Sequence, residues 1–241
     1  MISVCLPIYA QPIAWLAMEG LCEQITDSEW ELIIFEDEQY PNGIDFYKQY
    51  EYRLRIAGCF RVIYKYSPER ISLSRKWKIM AQISHDKSIG ILMQGGDNYP
   101  QPIRIQTAAD KLMTHDWISS PQIIFYHVKK KKTILYRKAG IGVGSDMAVR
   151  KELMLKLPDE VKWSSVDSWI FNLINKLKRL KIYEDITSDW KNGVATDGAN
   201  RISLQRHKMF YNPNPPFYKT NISMRHCVPA RIADMLKKYE P

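Results

Sequence analysis

The stretch Ile89-Gly90-Ile91-Leu92-Met93-Gln94-Gly95-Gly96-Asp97-Asn98-Tyr99-Pro100 decides how this chain is read. A short apolar run ends in two glycines, an acid, an amide and a proline. The run predicts a buried strand, and Pro100 is expected to stop it. The glycines permit close approach of backbone and ligand. Open α/β sheets place ligand chemistry at the carboxyl ends of buried strands. An acid there, Asp97, can hold a hard divalent cation that grips phosphate oxygens. The same residues also suit an ordinary strand-to-loop turn.

The preceding residues repeat one pattern. Strands are expected at Ile2 to Ile8, Trp30 to Phe35 and Phe60 to Lys65, with amphipathic helices over Pro12 to Gln24, 45–57 and Leu73 to Ser84. The last helix carries Arg75, Lys76 and Lys78 and is expected to present a cationic side. Four strands alternating with helices in about one hundred residues argue for a doubly wound, mostly parallel sheet flanked by helices. Beyond it, a helix is expected over Pro102 to Thr114, and a strand pair, Trp117 to Val128 with Thr133 to Arg137, around a lysine run. A glycine-rich loop at Gly140 to Ser145 precedes a short strand at Met147 to Val149 and a helix over Lys151–Leu157. A strong helix follows from Val166 to Lys181 with Trp169, Ile170, Leu173, Ile174, Leu177 and Leu180 inward, then turn-rich chain over 186–220, and a short basic helix from Pro229 to Tyr239. Neither repeats nor a low-complexity linker divide the chain, so a single domain is expected.

The 241 residues, 45% hydrophobic and 25% charged, are enough for one sizeable core. Four scattered cysteines without a CxxC pair fit a reducing, cytoplasmic setting. There is no apolar run long enough to cross a membrane and no basic leader before the first strand. Charge is lopsided. Residues 1–60 hold ten acids against three bases, although the whole chain is +9. The window Trp117 to Ser145 has no acid and includes Lys129 to Lys132, Arg137 and Lys138. Such a basic remainder suits an anionic partner: nucleotide, nucleic acid or acidic membrane.

Taken in order, these features resemble the GT-A fold glycosyltransferases, close to glycosyltransferase family 2. The resemblance rests on Pro7-Ile8-Tyr9 closing the first strand, Glu36-Asp37 closing the second, and Arg75 near the start of a helix. It continues with Gly95-Gly96-Asp97-Asn98, and with Asp167 at a helix start in Ser164-Ser165-Val166-Asp167-Ser168-Trp169. It covers roughly residues 2–175. It departs from the family in having one acid where Asp-x-Asp is usual, Val166-Asp167 where Glu-Asp is usual, and no Gln-x-x-Arg-Trp.

The resemblance implies a Rossmann-like domain with a nucleotide-sugar-binding half at 1–100, an acceptor-binding half at 101–220 and a basic tail helix at 221–241. It implies an inverting transfer from a nucleoside-diphosphate sugar, a UDP-sugar, to an acceptor hydroxyl. Pro7, Tyr9, Asp37, Arg75, Gly95 and Gly96 would bind the donor. Asp97, with His207, would hold Mn²⁺ or Mg²⁺. Asp167 would act as the general base, with Trp169 and Gly144 beside the acceptor. The basic stretches, Arg201, Arg206, Lys208, Arg225 and Arg231 among them, admit a hydroxylated base in DNA as acceptor, with a glycan or lipid-linked sugar as competitor. Two other classes compete with this reading. One is a non-catalytic nucleic-acid-binding protein on a degenerate transferase scaffold, which the missing first acid favours. The other is a nucleotidyltransferase, which Ala10-Gln11-Pro12 disfavours because it is not a glycine-rich first loop.

Overall fold

The computed structural model describes residues 1–8, 14–37, 43–120, 122–127, 132–137, 147–161, 166–179, 181–183, 193–197, 217–220 and 228–239. The first half follows the alternation expected from sequence: β1 (Ile2–Ile8), α1 (Trp15–Leu21), β2 (Trp30–Glu36), α2 (Gly43–Lys48), α3 (Glu51–Ile56), β3 (Cys59–Tyr66), α4 (Leu73–Ile83) and β4 (Gly90–Met93). Then come β5 (Asn98–Pro100), α5 (Arg104–Leu112), β6 (Trp117–Ser119), β7 (Gln122–His127), β8 (Lys132–Arg137), β9 (Ala148–Arg150), α6 (Lys151–Met154), α7 (Val166–Lys176), β10 (Lys181–Tyr183), β11 (Gly193–Asp197), β12 (Phe217–Thr220) and α8 (Ala230–Leu236).

Seven strands form the main sheet in the order β10-β6-β9-β4-β1-β2-β3. β1 pairs in parallel with β2 and β4, and β2 with β3; only β9 opposes its neighbours. The mixed α/β, mostly parallel class is therefore as expected. A second sheet of five strands, β12-β8-β7-β11-β5, contains the expected strand pair as β7 and β8; its other pairings were not legible in advance.

Period-two alternation sorts the sheet residues onto two faces. Ile2, Val4, Leu6, Trp30, Leu32, Ile34 and Leu92 share one apolar cluster with α1, α3, α5 and α8. Cys5, Ile33, Phe35, Ile91 and Met93 share the other with Trp77 and Met80 of α4, Leu153 of α6 and Ile170 of α7. Helices on both faces bury the central strands on both sides, which explains their unbroken hydrophobicity.

Several boundaries differ from the expectation. Pro100 does not stop the chain's strand structure, because Asn98–Pro100 forms β5 and pairs with β11 in the second sheet. The run Trp117 to Val128 is two strands in two sheets, β6 beside β9 and β7 beside β8. α7 ends at Lys176 rather than Lys181. Lys178 has φ 51°, and Lys178 N and Arg179 N donate to Asn175 O (3.0 Å) and Ile174 O (3.0 Å). This is a Schellman closure with lysine where glycine is usual, and it leaves Leu177 exposed rather than inward. Tyr40-Pro41-Asn42, Leu180 and the Gly140–Ser145 loop lie outside the described residues.

Nor does the C-terminal helix present Arg231 freely. Arg231 binds Glu19 and Glu23 of the α1 region, while Arg53 of α3 grips Glu19 through two bonds of 2.8 and 2.9 Å. Val228, Ile232 and Leu236 complete the docking in the α1 cluster. Burial raises the Glu19 pKa, but hydrogen bonds from Arg53 and Arg231 outweigh it and hold the carboxyl below its ordinary range.

Two outcomes test these local readings. Lys178→Gly should relieve the left-handed strain and stabilise the fold by about 0.5–1 kcal/mol, raising Tm by ~2–4 °C. A group with a depressed folded pKa stabilises at neutral pH and loses that contribution as pH falls below the unfolded value near 4.5. The urea-denaturation gap between wild type and Arg231→Met should therefore be widest at pH 7 and shrink as the pH drops below 4.5.

Candidate active site

β1 leads to β2 and β3 on one side, and the chain then returns to place β4 on the other side of β1. The gap between β1 and β4 is a topological switch point, where α/β sheets bind ligands. Because these strands are parallel, Pro7, Asp37 and the Gly95–Asp97 turn stand at the same, carboxyl edge of the sheet.

Alternation along β2 puts Glu31, Ile33, Phe35 and then Asp37 on the α4 face. Asp37 is buried there, and its Oδ1 accepts from Lys76 Nζ of α4, which is equally buried. Its Oδ2 accepts from Ile71 N at 3.0 Å. Burial pushes the Lys76 pKa below the usual lysine range against the opposing pull of Asp37. The cationic partner of Asp37 is thus Lys76, while Arg75, expected at the donor, sits exposed one residue earlier. α4 does not carry its three bases on one solvated side. Its N-terminus is fixed by Ser72 Oγ, which accepts from Arg75 N at 3.2 Å.

The turn after β4 is held from within. Gln94 N donates to Cys5 O (3.0 Å), continuing the β1 pairing, and Asn98 N closes the turn on Gly95 O (3.2 Å). A Cβ on Gly95 would meet Asn98 Nδ2 at 3.0 Å and Asp97 Oδ1 at 3.2 Å. A side chain at 95 would therefore press on the Asn98 and Asp97 side chains of the same turn. Asp97 itself is half-buried.

Asp167 lies in the first turn of α7, where an acid favours the helix dipole, and its Oδ1 accepts from Ser168 N at 2.9 Å. Trp169 packs against the α4-face cluster, to which Val166 and Met93 also belong. The chain leading to α7 is tied to the start of α4. Ser74 Oγ donates to Asp159 O (3.1 Å) and accepts from Val161 N (3.0 Å), and Lys78 Nζ pairs with Asp159 at 2.9 Å. Ile71 N, held by Asp37, and Val161 N, held by Ser74, thus flank the same end of α4.

Pro7, Asp37, Gly95, Gly96 and Asp97 are brought to one sheet edge, whereas Asp167 and Trp169 stand on a separate helix. Tyr9, Gly144 and His207 lie outside the described residues. Sequence reasoning missed Lys76, which a strict helical-face analysis of Trp77, Met80 and Ala81 would have turned inward, and Gln94, whose burial has no sequence signature. Among the described residues no three His, Cys, Asp or Glu side chains gather into a metal centre. One carboxylate at Asp97 fits a Mg²⁺ or Mn²⁺ ion that takes its other ligands from diphosphate oxygens and water.

No protein-family model matches the chain, and no curated protein matches it either. Solved structures do. S. aureus TarS 1-349 in complex with UDP-GlcNAc is similar over 81% of this chain, with a TM-score of 0.59 at 15% identity. The mannosyltransferase PcManGT from Pyrobaculum calidifontis, in complex with GDP-Man and Mn²⁺, is similar over 99% of this chain and 72% of its own, with a TM-score of 0.58 at 13% identity. The fold is that of the GT-A glycosyltransferases. The chain spans 58% of TarS 1-349 and 36% of the longer TarS chain.

The Asp37–Lys76 pair is a buried ion pair, so removing one partner strands the other charge at a cost of about 3–5 kcal/mol. Lys76→Met should show that loss in urea denaturation. Adding Asp37→Leu to it should recover a substantial part, because both charges are then gone.

Proposed function

We propose that the chain is a nucleotide-sugar-dependent glycosyltransferase that moves a sugar, from a UDP-sugar, to an acceptor hydroxyl with inversion. One observation carries this reading: the buried Asp37–Lys76 pair and the Asp97 turn flank the β1/β4 switch point of a GT-A fold. Residues 1–100 form the donor half and 101–220 the acceptor half.

Asp37, oriented by Lys76 and Ile71 N, accepts a hydrogen bond from the base or ribose, with Pro7 and Tyr9 lining the same place. The Gly95-Gly96 backbone and the Arg75 guanidinium face the diphosphate. Asp97, with His207, would hold Mn²⁺ or Mg²⁺, which would supply positive charge against the departing diphosphate. Asp167 takes the proton of the acceptor hydroxyl as its oxygen attacks the anomeric carbon, and the bond to the diphosphate oxygen breaks on the opposite side. Trp169 and Gly144 border the acceptor.

The acid-free window from Trp117 to Ser145 supports an anionic acceptor, either a hydroxylated base in DNA or a sugar carried on a glycan or lipid. Arg231, held by Glu19 and Glu23, contributes little to such a surface. Free thiols at Cys5, Cys22 and Cys59 support a cytoplasmic setting, and no helix among the described residues is long and apolar enough to cross a membrane. A second reading, nucleic-acid binding without catalysis, is favoured by the single acid in the Gly95-Gly96-Asp97 sequence.

Thermal shift decides between them. Saturating UDP with Mn²⁺ should raise Tm by about 5–10 °C, and UDP-sugars should be slowly hydrolysed. Asp97→Ala should remove the Mn²⁺-dependent part of the shift. Asp167→Asn should abolish transfer while leaving the shift near wild type. Absence of any nucleotide-induced shift, with retained DNA binding, would favour the second reading.

A further inference from the structure

We infer that Gln94 and Arg104 are positioning residues that hold the Gly95–Asp97 turn in the geometry needed to present Asp97. This rests on the reading of Asp97 as the ligand of a nucleotide-bound divalent cation.

Gln94 has no exposed surface, and Arg104, in the first turn of α5, is 5% exposed. The Gln94 side chain reaches both sides of the turn. Its Nε2 donates to Gly95 O and to Asn98 O, each at 2.8 Å. Its Oε1 accepts from Arg104 Nη1 at 2.7 Å, and Arg104 Nη2 donates to Met93 O at 2.7 Å. The orientation of the amide is forced. A guanidinium only donates and carbonyl oxygens only accept, so the reversed amide would face like with like on both sides. One forked cation thus fixes the last residue of β4 and, through a single amide, both ends of the turn that follows. Asp97 lies between those ends.

A turn tied to a buried helix residue behaves differently from one closed only by its own backbone bond. Residues 95–98 carry a half-buried acid, and the turn's own backbone closes through Asn98 N to Gly95 O at 3.2 Å. The short bonds from Gln94 supply the stiffness this closure lacks. Partners of this kind, one step removed from a metal, commonly set metal affinity by a factor of about 10–100. A lysine at 104 keeps the charge but not the planar fork that serves Met93 O and Gln94 Oε1 together. A methionine at 94 keeps the volume and loses all three bonds. The two substitutions attack one link by different chemistry.

The test uses the full chain, with UDP and Mn²⁺ as probes. UDP affinity is titrated calorimetrically across Mn²⁺ concentrations and without metal, for wild type, Arg104→Lys and Gln94→Met. Amide hydrogen exchange of residues 95–98 is read in the absence of ligand. Both variants should raise the Mn²⁺ concentration for half-maximal effect about tenfold, leave metal-free UDP affinity within about twofold, and speed exchange at Asp97 and Asn98 selectively. Variants with wild-type exchange at 95–98 would overturn the inference, as would an unchanged Mn²⁺ midpoint or equal loss of metal-free and metal-supported binding. If wild type binds UDP with no Mn²⁺ dependence, the metal role of Asp97 fails; selective loosening of the turn would then still uphold Gln94 and Arg104 as its anchors, and unaltered exchange would refute them.

Discussion

The register of β2 is the constraint on which the rest depends. Three buried acids lie along this segment: Glu31 and Asp37 face α4, and Glu36, on the other face, accepts from Tyr64 Oη. At the amino end Glu31 accepts from Ser3 Oγ (2.6 Å), His85 N (2.7 Å) and Arg61 Nε (2.8 Å). At the carboxyl end Asp37 accepts from Lys76 and Ile71 N. A slip of one residue would turn Glu31 and Asp37 toward the α1 face, away from Arg61 and Lys76 and onto a mainly apolar cluster, and would take Glu36 from its bond with Tyr64. Buried ion pairs add little net stability, but they penalise every arrangement that leaves one charge alone. Here that penalty locks β2 against β1 and β3, and so sets where Asp37 comes to rest.

From that register the candidate site follows in steps. β1, paired on both sides, aligns the end of β2 with the end of β4. α4 delivers Lys76 to Asp37, and its N-terminal serines hold the segment that runs toward Asp167. α5 delivers Arg104 to the turn on the other side of the switch point. Helices from opposite faces of the sheet thus meet its carboxyl edge, each bringing one buried cation. α1 joins the edge through packing. A Cβ on Gly20 would meet Pro100 Cδ at 2.4 Å, so α1 lies directly on β5, the strand that leaves the turn.

Most of the first hundred residues was legible because the signals there are local. Apolar runs at 2–8, 30–35 and 60–65 alternate with amphipathic stretches, and the resulting strands fall within a residue or so of the expectation. Of the second sheet the local β7–β8 pair was legible, but the rest was not because its pairings are long-range: Asn98–Pro100 pairs with Gly193–Ala195, some ninety residues away, and three residues are too few to show a period. The break at Ser120 was hidden because β6 and β7 are both apolar and only the partner strands tell them apart. Asp37 and Asp97 stood out as acids after apolar runs. In the sequence Lys76 reads as a solvated base, because charge is ordinarily exposed on a helix; the opposing carboxylate explains its burial. Gln94 and Arg104 carry no pattern at all, since their role exists only once β4, the turn and α5 have come together.

A crystal structure of the chain soaked with UDP and Mn²⁺ tests the central claim most directly. The account predicts the base against Asp37, the diphosphate over the Gly95–Asp97 turn, and the ion on Asp97. Nucleotide bound away from the carboxyl edge of β1, β2 and β4, with the Asp37–Lys76 pair untouched, would contradict it.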